Sequence, residues 1–350
     1  MTAESVPEVQ AAGGTTSGCR APRAPSQAVV EPLDPQITSI QPGGGVCMRL
    51  ELAWGRVRRW YLRTFRPGYV ARMRRLRLGD DRGCPHDVLD PRDLKFYRNQ
   101  GTCSWRPEDD PFAWRDRLPL VRAGLAELLI LGGGAWLLAA VIVWWWWPAA
   151  VPLAVWGALI LWFFRNPKRT APSESGMIVS PADGKVVAID ELASHEYVGG
   201  PAVKIAVFLS VFNVHVNRAP AAACVVGLTY ARGKFLGAMR RRASKENERM
   251  TIRLEETSPP HRRLVVVQIA GAVARRIVCW VAPGENLSRG QALGMIKLGS
   301  RTELILPRQP GLILEARLGQ SVRAGTTVLA RYVEPALETP TRRCSASGSG

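Results

Sequence analysis

Gly299 and Ser300 stand side by side just after the apolar run Gly294-Met-Ile-Lys297. Glycine has no Cβ, so its carbonyl is open to attack and its backbone can take conformations that other residues avoid. A serine hydroxyl on its C-terminal side is placed to attack that carbonyl and shift the chain from amide to ester. The same pair also fits an ordinary turn between strands. The hydroxyl needs a base. In the strand-rich half, two titratable residues sit in motif-like contexts: Asp183, in Ser180-Pro-Ala-Asp183-Gly184, and His215, in Val211-Phe-Asn-Val-His215-Val-Asn-Arg218. Each has a plainer reading, Asp183 as a hairpin turn and His215 as a hydrogen-bonded core residue. His195 and His261 lie in polar, loop-like stretches. Arg240, Arg241 and Arg242, with Arg249 in Asn247-Glu248-Arg249, are candidates to grip a phosphate, because guanidinium groups offer forked donors. A solvated helix face fits them equally well. The seven cysteines show no CxxC or Cys/His ligand spacing, which argues against a structural zinc site and a disulfide scaffold and expects no metal.

These residues need a scaffold to hold them. Between 165 and 335 the apolar runs are short, rich in Val and Ile, and bounded by Gly and Pro, as in Lys185–Ile189, Leu264–Ile269 and Leu312–Leu318. That is a β pattern. Helical length is available only around Lys234–Met250. The expected fold is therefore mostly β (α+β) with one or two helices. An internal repeat refines it: Gly284-x-x-Leu287-x-x-Gly290-x-x-Leu293 recurs as Gly319-x-x-Val322-x-x-Gly325-x-x-Val328. Such strand–turn–strand units build barrel-sandwich folds of the biotinyl and lipoyl carrier kind, and they say nothing about chemistry.

The rest of the chain points to a membrane. Residues 118–164 hold two nearly uncharged runs, Leu118–Trp147 and Ala149–Phe164, separated by Pro148, with four consecutive tryptophans at 144–147. Tryptophan clusters at bilayer interfaces, and proline breaks helices. Arg115, Arg117 and Arg122 precede the pair, and Arg165, Lys168 and Arg169 follow it. Basic flanks stay cytoplasmic, so the expectation is a membrane hairpin, full or re-entrant, on the cytoplasmic face of the inner membrane. Residues 48–78 carry ten arginines and one acid, Glu51, interleaved with Trp54, Trp60, Tyr61, Phe65 and Tyr69. This composition suits an anionic membrane surface at roughly 1 kcal/mol per basic residue. Residues 48–117 are read as that surface or accessory segment, with Cys84 and His86 structural. Residues 1–47 read as a disordered tail, with Met48 a candidate true start, and 336–350 as a flexible tail. The net charge of +18 is largely accounted for by these segments, so nucleic acid is not an expected partner.

The ordered succession of Phe163-Phe-Arg-Asn-Pro167, Val179-Ser-Pro-Ala-Asp-Gly184-Lys-Val, Val214-His215-Val-Asn-Arg218-Ala-Pro220, Asn247-Glu-Arg249 and Gly294-Met-Ile-Lys-Leu-Gly299-Ser300 resembles the phosphatidylserine decarboxylase proenzyme family in its short form. The resemblance implies self-cleavage without hydrolysis between Gly299 and Ser300, giving a β chain 1–299 and an α chain 300–350 that remain together as a heterodimer. It implies that Ser300 becomes a pyruvoyl cofactor, with Asp183 orienting His215 and His215 taking the Ser300 proton. It further implies conversion of phosphatidylserine in the bilayer to phosphatidylethanolamine, the new carbonyl condensing with the substrate amine and acting as electron sink. Some relatives carry a second histidine three residues before that of the motif; here the position is Phe212. Two other readings remain open at this level: a non-catalytic membrane-anchored barrel-sandwich adaptor, and a decarboxylase of a related ether-lipid serine phospholipid.

Overall fold

The computed structural model describes residues 29–76, 110–239, 242–272, 276–297 and 299–333. The strands run β1 Met177–Val179, β2 Gly184–His195, β3 Gly200–Leu209, β4 Val216–Arg218, β5 Ala223–Ala231, β6 Arg249–Glu256, β7 Arg263–Ile269, β8 Arg276–Cys279, β9 Asn286–Leu287, β10 Ala292–Lys297, β11 Ser300–Pro307, β12 Leu312–Leu314, β13 Ser321–Val322 and β14 Val328–Tyr332. They form an eight-stranded sheet in the order β13-β2-β3-β11-β7-β6-β5-β9 and two three-stranded sheets, β4-β10-β8 and β1-β14-β12. Every ladder is antiparallel. The domain is thus mostly β, as its short Val/Ile runs predict.

The glycine repeat has a structural counterpart. Gly284, Gly290, Gly319 and Gly325 all have φ between 74° and 83°, a left-handed conformation that disfavours side chains. The two-residue strands that follow Gly284 and Gly319, β9 and β13, close opposite edges of the large sheet. The strands that follow Gly290 and Gly325, β10 and β14, form the centres of the two small sheets. A buried core that includes Ile205, Val207, Leu228, Ile252, Val266 and Leu304 fills the interior.

A second buried cluster joins Ile40, Val121, Phe163, Phe164, Val214, Val216, Val278 and Met295. It seats the root of the apolar segment on β4, β10 and β8. That segment, Arg122–Phe163, is long and apolar enough to cross a membrane by length and composition. Its helical path is interrupted at Trp146 (φ −156°, ψ 88°). Pro148 was expected to break the helix; the break falls two residues earlier, because proline disfavours the helical turn before it and is itself tolerated in the first turn of the next. The segment doubles back on itself: Trp136 Nε1 donates to the Ala154 carbonyl at 3.0 Å, and Gly157 lies against the Trp136 indole. Both feet meet at the β domain, where Val121 N–H donates to Phe164 O at 2.9 Å and Asn166 N–H to Pro119 O at 2.7 Å.

Two expectations need correction. Residues 29–45 were assigned to a disordered tail, yet they form a strap on the β domain. Ile37 is fully buried and Ile40 nearly so, and the strap exchanges backbone hydrogen bonds with Val226 and Cys279. Ile37 and Ile40 are buried because the β domain offers the strap backbone partners, something composition alone does not register. Residues 1–28, and Cys84 and His86, lie outside the described residues, as does the tail 336–350. The helix expected over Lys234–Met250 is only Ala243–Glu246; Arg249 already begins β6. The Asn247 side chain accepts from Leu236 N–H and donates to the carbonyls of Leu236 and Ala270, so it holds a loop rather than a helical turn. Upstream, helix α1 (Val46–Phe65) and helix α2 (Pro67–Leu76) carry the arginine-rich stretch, with Trp60 and Phe65 exposed.

Candidate active site

Ser300 is the first residue of β11 and pairs with Leu209 of β3. It is fully buried, and its Oγ has no hydrogen-bond partner among the described residues. Gly299 before it has φ +59°, the left-handed region. Its carbonyl oxygen packs directly on Gly271, so closely that a Cβ at 271 would overlap it. Gly271 therefore fixes where the Gly299 carbonyl lies, because only a glycine leaves room for it.

His215 lies on another sheet, beside the strand that leads to Ser300. It precedes β4, and its carbonyl accepts from Ile296 N–H at 3.3 Å, four residues before Ser300. Side chains alternate along a strand, so His215 and Asn217 share a face, as do Ser300 and Thr302. Asn217 Nδ2 donates to Thr302 Oγ1 at 3.0 Å, and Gln268 Nε2 donates to Asn217 Oδ1 at 2.8 Å, all three residues fully buried. This polar bridge holds the two faces against one another. Among the described residues neither ring nitrogen of His215 makes a well-formed hydrogen bond, although the Asn213 carbonyl lies near the ring, and the Phe163 ring lies over it with centroids 4.3 Å apart. Burial pushes the His215 pKa down from 6.5 to about 4; the Asn213 carbonyl and Asp183 pull it up, and Arg165 adds to the depression. The imidazole is neutral at pH 7, with one nitrogen free to accept a proton.

Asp183 is not hydrogen-bonded to His215. Arg169 forms a fork on both its carboxylate oxygens, Nη2 to Oδ2 at 2.7 Å, and Ala324 N–H donates to Oδ1 at 2.7 Å. Its influence on His215 is electrostatic, through space. Arg169 was read only as a basic flank, and its distance from Asp183 in the alphabet of motifs gave no signal of the pairing. The Phe163-Phe-Arg-Asn-Pro167 motif, to which no role was given, surrounds the site. Phe163 covers His215, and Arg218 donates to both Asn166 Oδ1 (2.7 Å) and Gly290 O (2.9 Å). Lys297 forms a buried ion pair with Glu127 in the apolar segment and lies 5.7 Å from the Phe164 ring centroid.

Arg240 and Arg241 lie outside the described residues. Arg242 is exposed before the short helix, and Arg249 Nη1 donates to Lys245 O at 2.6 Å. Asn247 is a structural clamp, and Glu248 is held in its own environment, where burial raises its pKa against the opposing hydrogen bond of Tyr230 and the charges of Arg276 and Arg232.

What the arrangement can do is acyl chemistry at one backbone bond: a buried hydroxyl, a glycine carbonyl fixed in place, and a neutral imidazole. The sequence pattern of the phosphatidylserine decarboxylase family matches residues 156–330, which includes every one of these groups. A phosphatidylserine decarboxylase proenzyme of Rhodopirellula baltica is 50% identical over 239 residues, covering 68% of this chain and 99% of the relative. Proenzymes of the same name from Carboxydothermus hydrogenoformans and Syntrophus aciditrophicus are 48% and 44% identical over 172 and 171 residues, each 49% of this chain and 79% and 78% of those relatives. With that match and this arrangement of Gly299, Ser300 and His215, the chain belongs to the phosphatidylserine decarboxylase family.

Proposed function

We propose that the chain cleaves itself between Gly299 and Ser300 and, once matured, decarboxylates phosphatidylserine to phosphatidylethanolamine. The observation that carries this reading is a set of unspent polar groups. Among the described residues Ser300 Oγ is buried without a partner, and the buried His215 nitrogens make no well-formed hydrogen bond, with the Asn213 carbonyl nearby. A buried polar group left unpaired costs about 1–3 kcal/mol, so an unpaired hydroxyl and an underbonded imidazole at two of the family motifs are best explained as groups held for reaction.

In maturation His215 takes the Ser300 hydroxyl proton while Oγ attacks the Gly299 carbonyl. The peptide C–N bond breaks and the proton passes to the freed amine, leaving a Gly299 ester on Ser300. Loss of the Ser300 α-proton and rupture of its Cβ–O bond then release Gly299 as a carboxylate. Water displaces the amine of residue 300 as ammonia, leaving a pyruvoyl end. The fit of that group rests on Ser300 itself: the residue lies at a strand start and is shielded from solvent. When present, the pyruvoyl carbonyl supplies the electron sink for the carbanion left by loss of CO₂. Phe163 covers the His215 ring, and in this reading His215 holds the proton that returns to carbon. Phe212, exposed and apolar, has no such capacity.

The doubled-back Arg122–Phe163 segment is read as a hairpin in the membrane, on whose cytoplasmic face the β domain rests with its glycine-repeat, barrel-sandwich-like architecture. The arginine-rich helix α1 is read as a second, surface contact, and Arg242 and Arg249 as low-lying contacts for anionic headgroups. The chains 1–299 and 300–350 stay paired through the ladders of β11 with β3 and β7. Mass analysis of purified protein tests the reading: a 300–350 fragment whose first residue is a keto acid supports it. An unbroken wild-type chain with an intact Ser300 rejects it.

A further inference from the structure

Two exposed apolar tips flank the strand end that carries Ser300. On one side Ser300 pairs with Leu209, and the chain then turns through Ser210–Asn213. The turn is tightly held: Asn213 Oδ1 accepts from Ser210 N–H (2.9 Å) and Ser210 Oγ (2.6 Å), and Asn213 N–H donates to Ser210 O (3.0 Å). Its two central residues are Val211 and Phe212, 45% and 69% exposed. Central turn positions favour small or polar residues, so a rigid turn presenting Val-Phe to solvent has an occupant to meet. On the other side Arg301 pairs with Ile269, and the chain continues to Gly271, where an added Cβ would meet both the Gly299 carbonyl and the Ala238 methyl. Met239 follows, 68% exposed.

The first tip is continuous with the foot of the apolar segment. Arg165 donates to Phe212 O and to Trp162 O, both at 2.7 Å, and its guanidinium lies 4.0 Å from the ring centroid of the half-exposed Trp162. Arg165 thus puts the Val211-Phe212 turn level with the last turn of the apolar segment. Arg242, three residues beyond Met239, adds a positive charge beside the second tip.

From this placement we infer that Val211, Phe212 and Met239 dip into the acyl-chain region of the bilayer on either side of Ser300. They form a rim through which one anionic phospholipid slides its headgroup to the reaction centre while its tails stay in the membrane. The inference rests on the proposed lipid substrate and adds where that lipid enters. Apolar tips insert by burying their surface in hydrocarbon, and the positive charges beside them complement an anionic headgroup.

The test compares the full-length double variant Phe212→Ser/Met239→Ser with wild type on two substrates: vesicles of long-chain phosphatidylserine in phosphatidylcholine, and a short-chain phosphatidylserine dissolved below its micellar concentration. Self-cleavage is scored first. The expected result is normal splitting and a vesicle-to-dissolved activity ratio reduced about tenfold or more, mainly through KM for vesicle lipid, with Phe212→Trp/Met239→Leu restoring it. An unchanged ratio overturns the inference. So does failure of both the double variant and the single variants to split, since the tips would then serve the fold. A wild type that neither splits nor acts on either lipid refutes the proposed function instead.

Discussion

Asn217 donates to Thr302 at 3.0 Å, and each stands two residues beyond one of the two groups proposed to react, His215 and Ser300. The bond spans 85 residues of sequence and joins a small sheet to the large one. It therefore ties the strand that follows His215 to the strand that begins at Ser300. Thr302→Val removes the hydroxyl at nearly constant volume and leaves the Asn217 amide short of a partner in the core. A loss of about 1–3 kcal/mol follows, read as a lower unfolding midpoint of the uncut Ser300→Ala protein. In the cleavable protein the same change slows splitting, followed on denaturing gels.

Gly271→Ala places a methyl group where the Gly299 carbonyl lies. The contact is backbone, so no side chain can swing away. The junction must shift, and a displacement of the order of an ångström at a reacting carbonyl is expected to slow self-cleavage about a hundredfold. A time course after cell-free synthesis measures it. Splitting at the wild-type rate would mean that the carbonyl is not held by Gly271.

Proton linkage at His215 has a definite sign. Its folded pKa, about 4, lies below its unfolded value of 6.5. The stabilisation is present above pH 6.5 and is lost as pH falls through the interval down to about 4, amounting to about 3 kcal/mol. Acid unfolding of Ser300→Ala should show this loss, and Ser300→Ala/His215→Gln should lack it. The base form persists above pH 4, so the self-cleavage rate is expected to stay level from about pH 8 to about pH 5 and to fall at more acidic values.

Glu127 and Lys297 form an ion pair across 170 residues, both side chains less than a tenth exposed. Removing one partner strands a buried charge, at a cost of about 3–5 kcal/mol. Glu127→Leu alone should destabilise the detergent-purified protein and slow splitting, because Lys297 lies two residues before Gly299. Glu127→Leu/Lys297→Met should recover most of the stability, read by thermal unfolding in the same detergent. A single variant as stable as wild type would show that the pair is solvated.

Local chemistry was legible in the chain itself. The Gly299-Ser300 junction, the left-handed glycines at 284, 290, 319 and 325, the short Val/Ile strands and the uncharged run before residue 164 are all features whose cause lies within a few residues. A turn needs a residue without Cβ, a strand needs alternation or β-branching, and a bilayer segment needs an absence of charge. The family resemblance, carried by five such motifs, followed from them. The partners were decided elsewhere. Asp183 faces Arg169 instead of bonding to His215, Phe163 covers the imidazole, Gly271 seats the Gly299 carbonyl, and the strap 29–45 buries Ile37. Each of these is a contact between segments brought together only when antiparallel ladders and packed sheets close. No local pattern encodes such a contact, because a carboxylate, a ring or a small residue is compatible with many partners until the fold leaves it one.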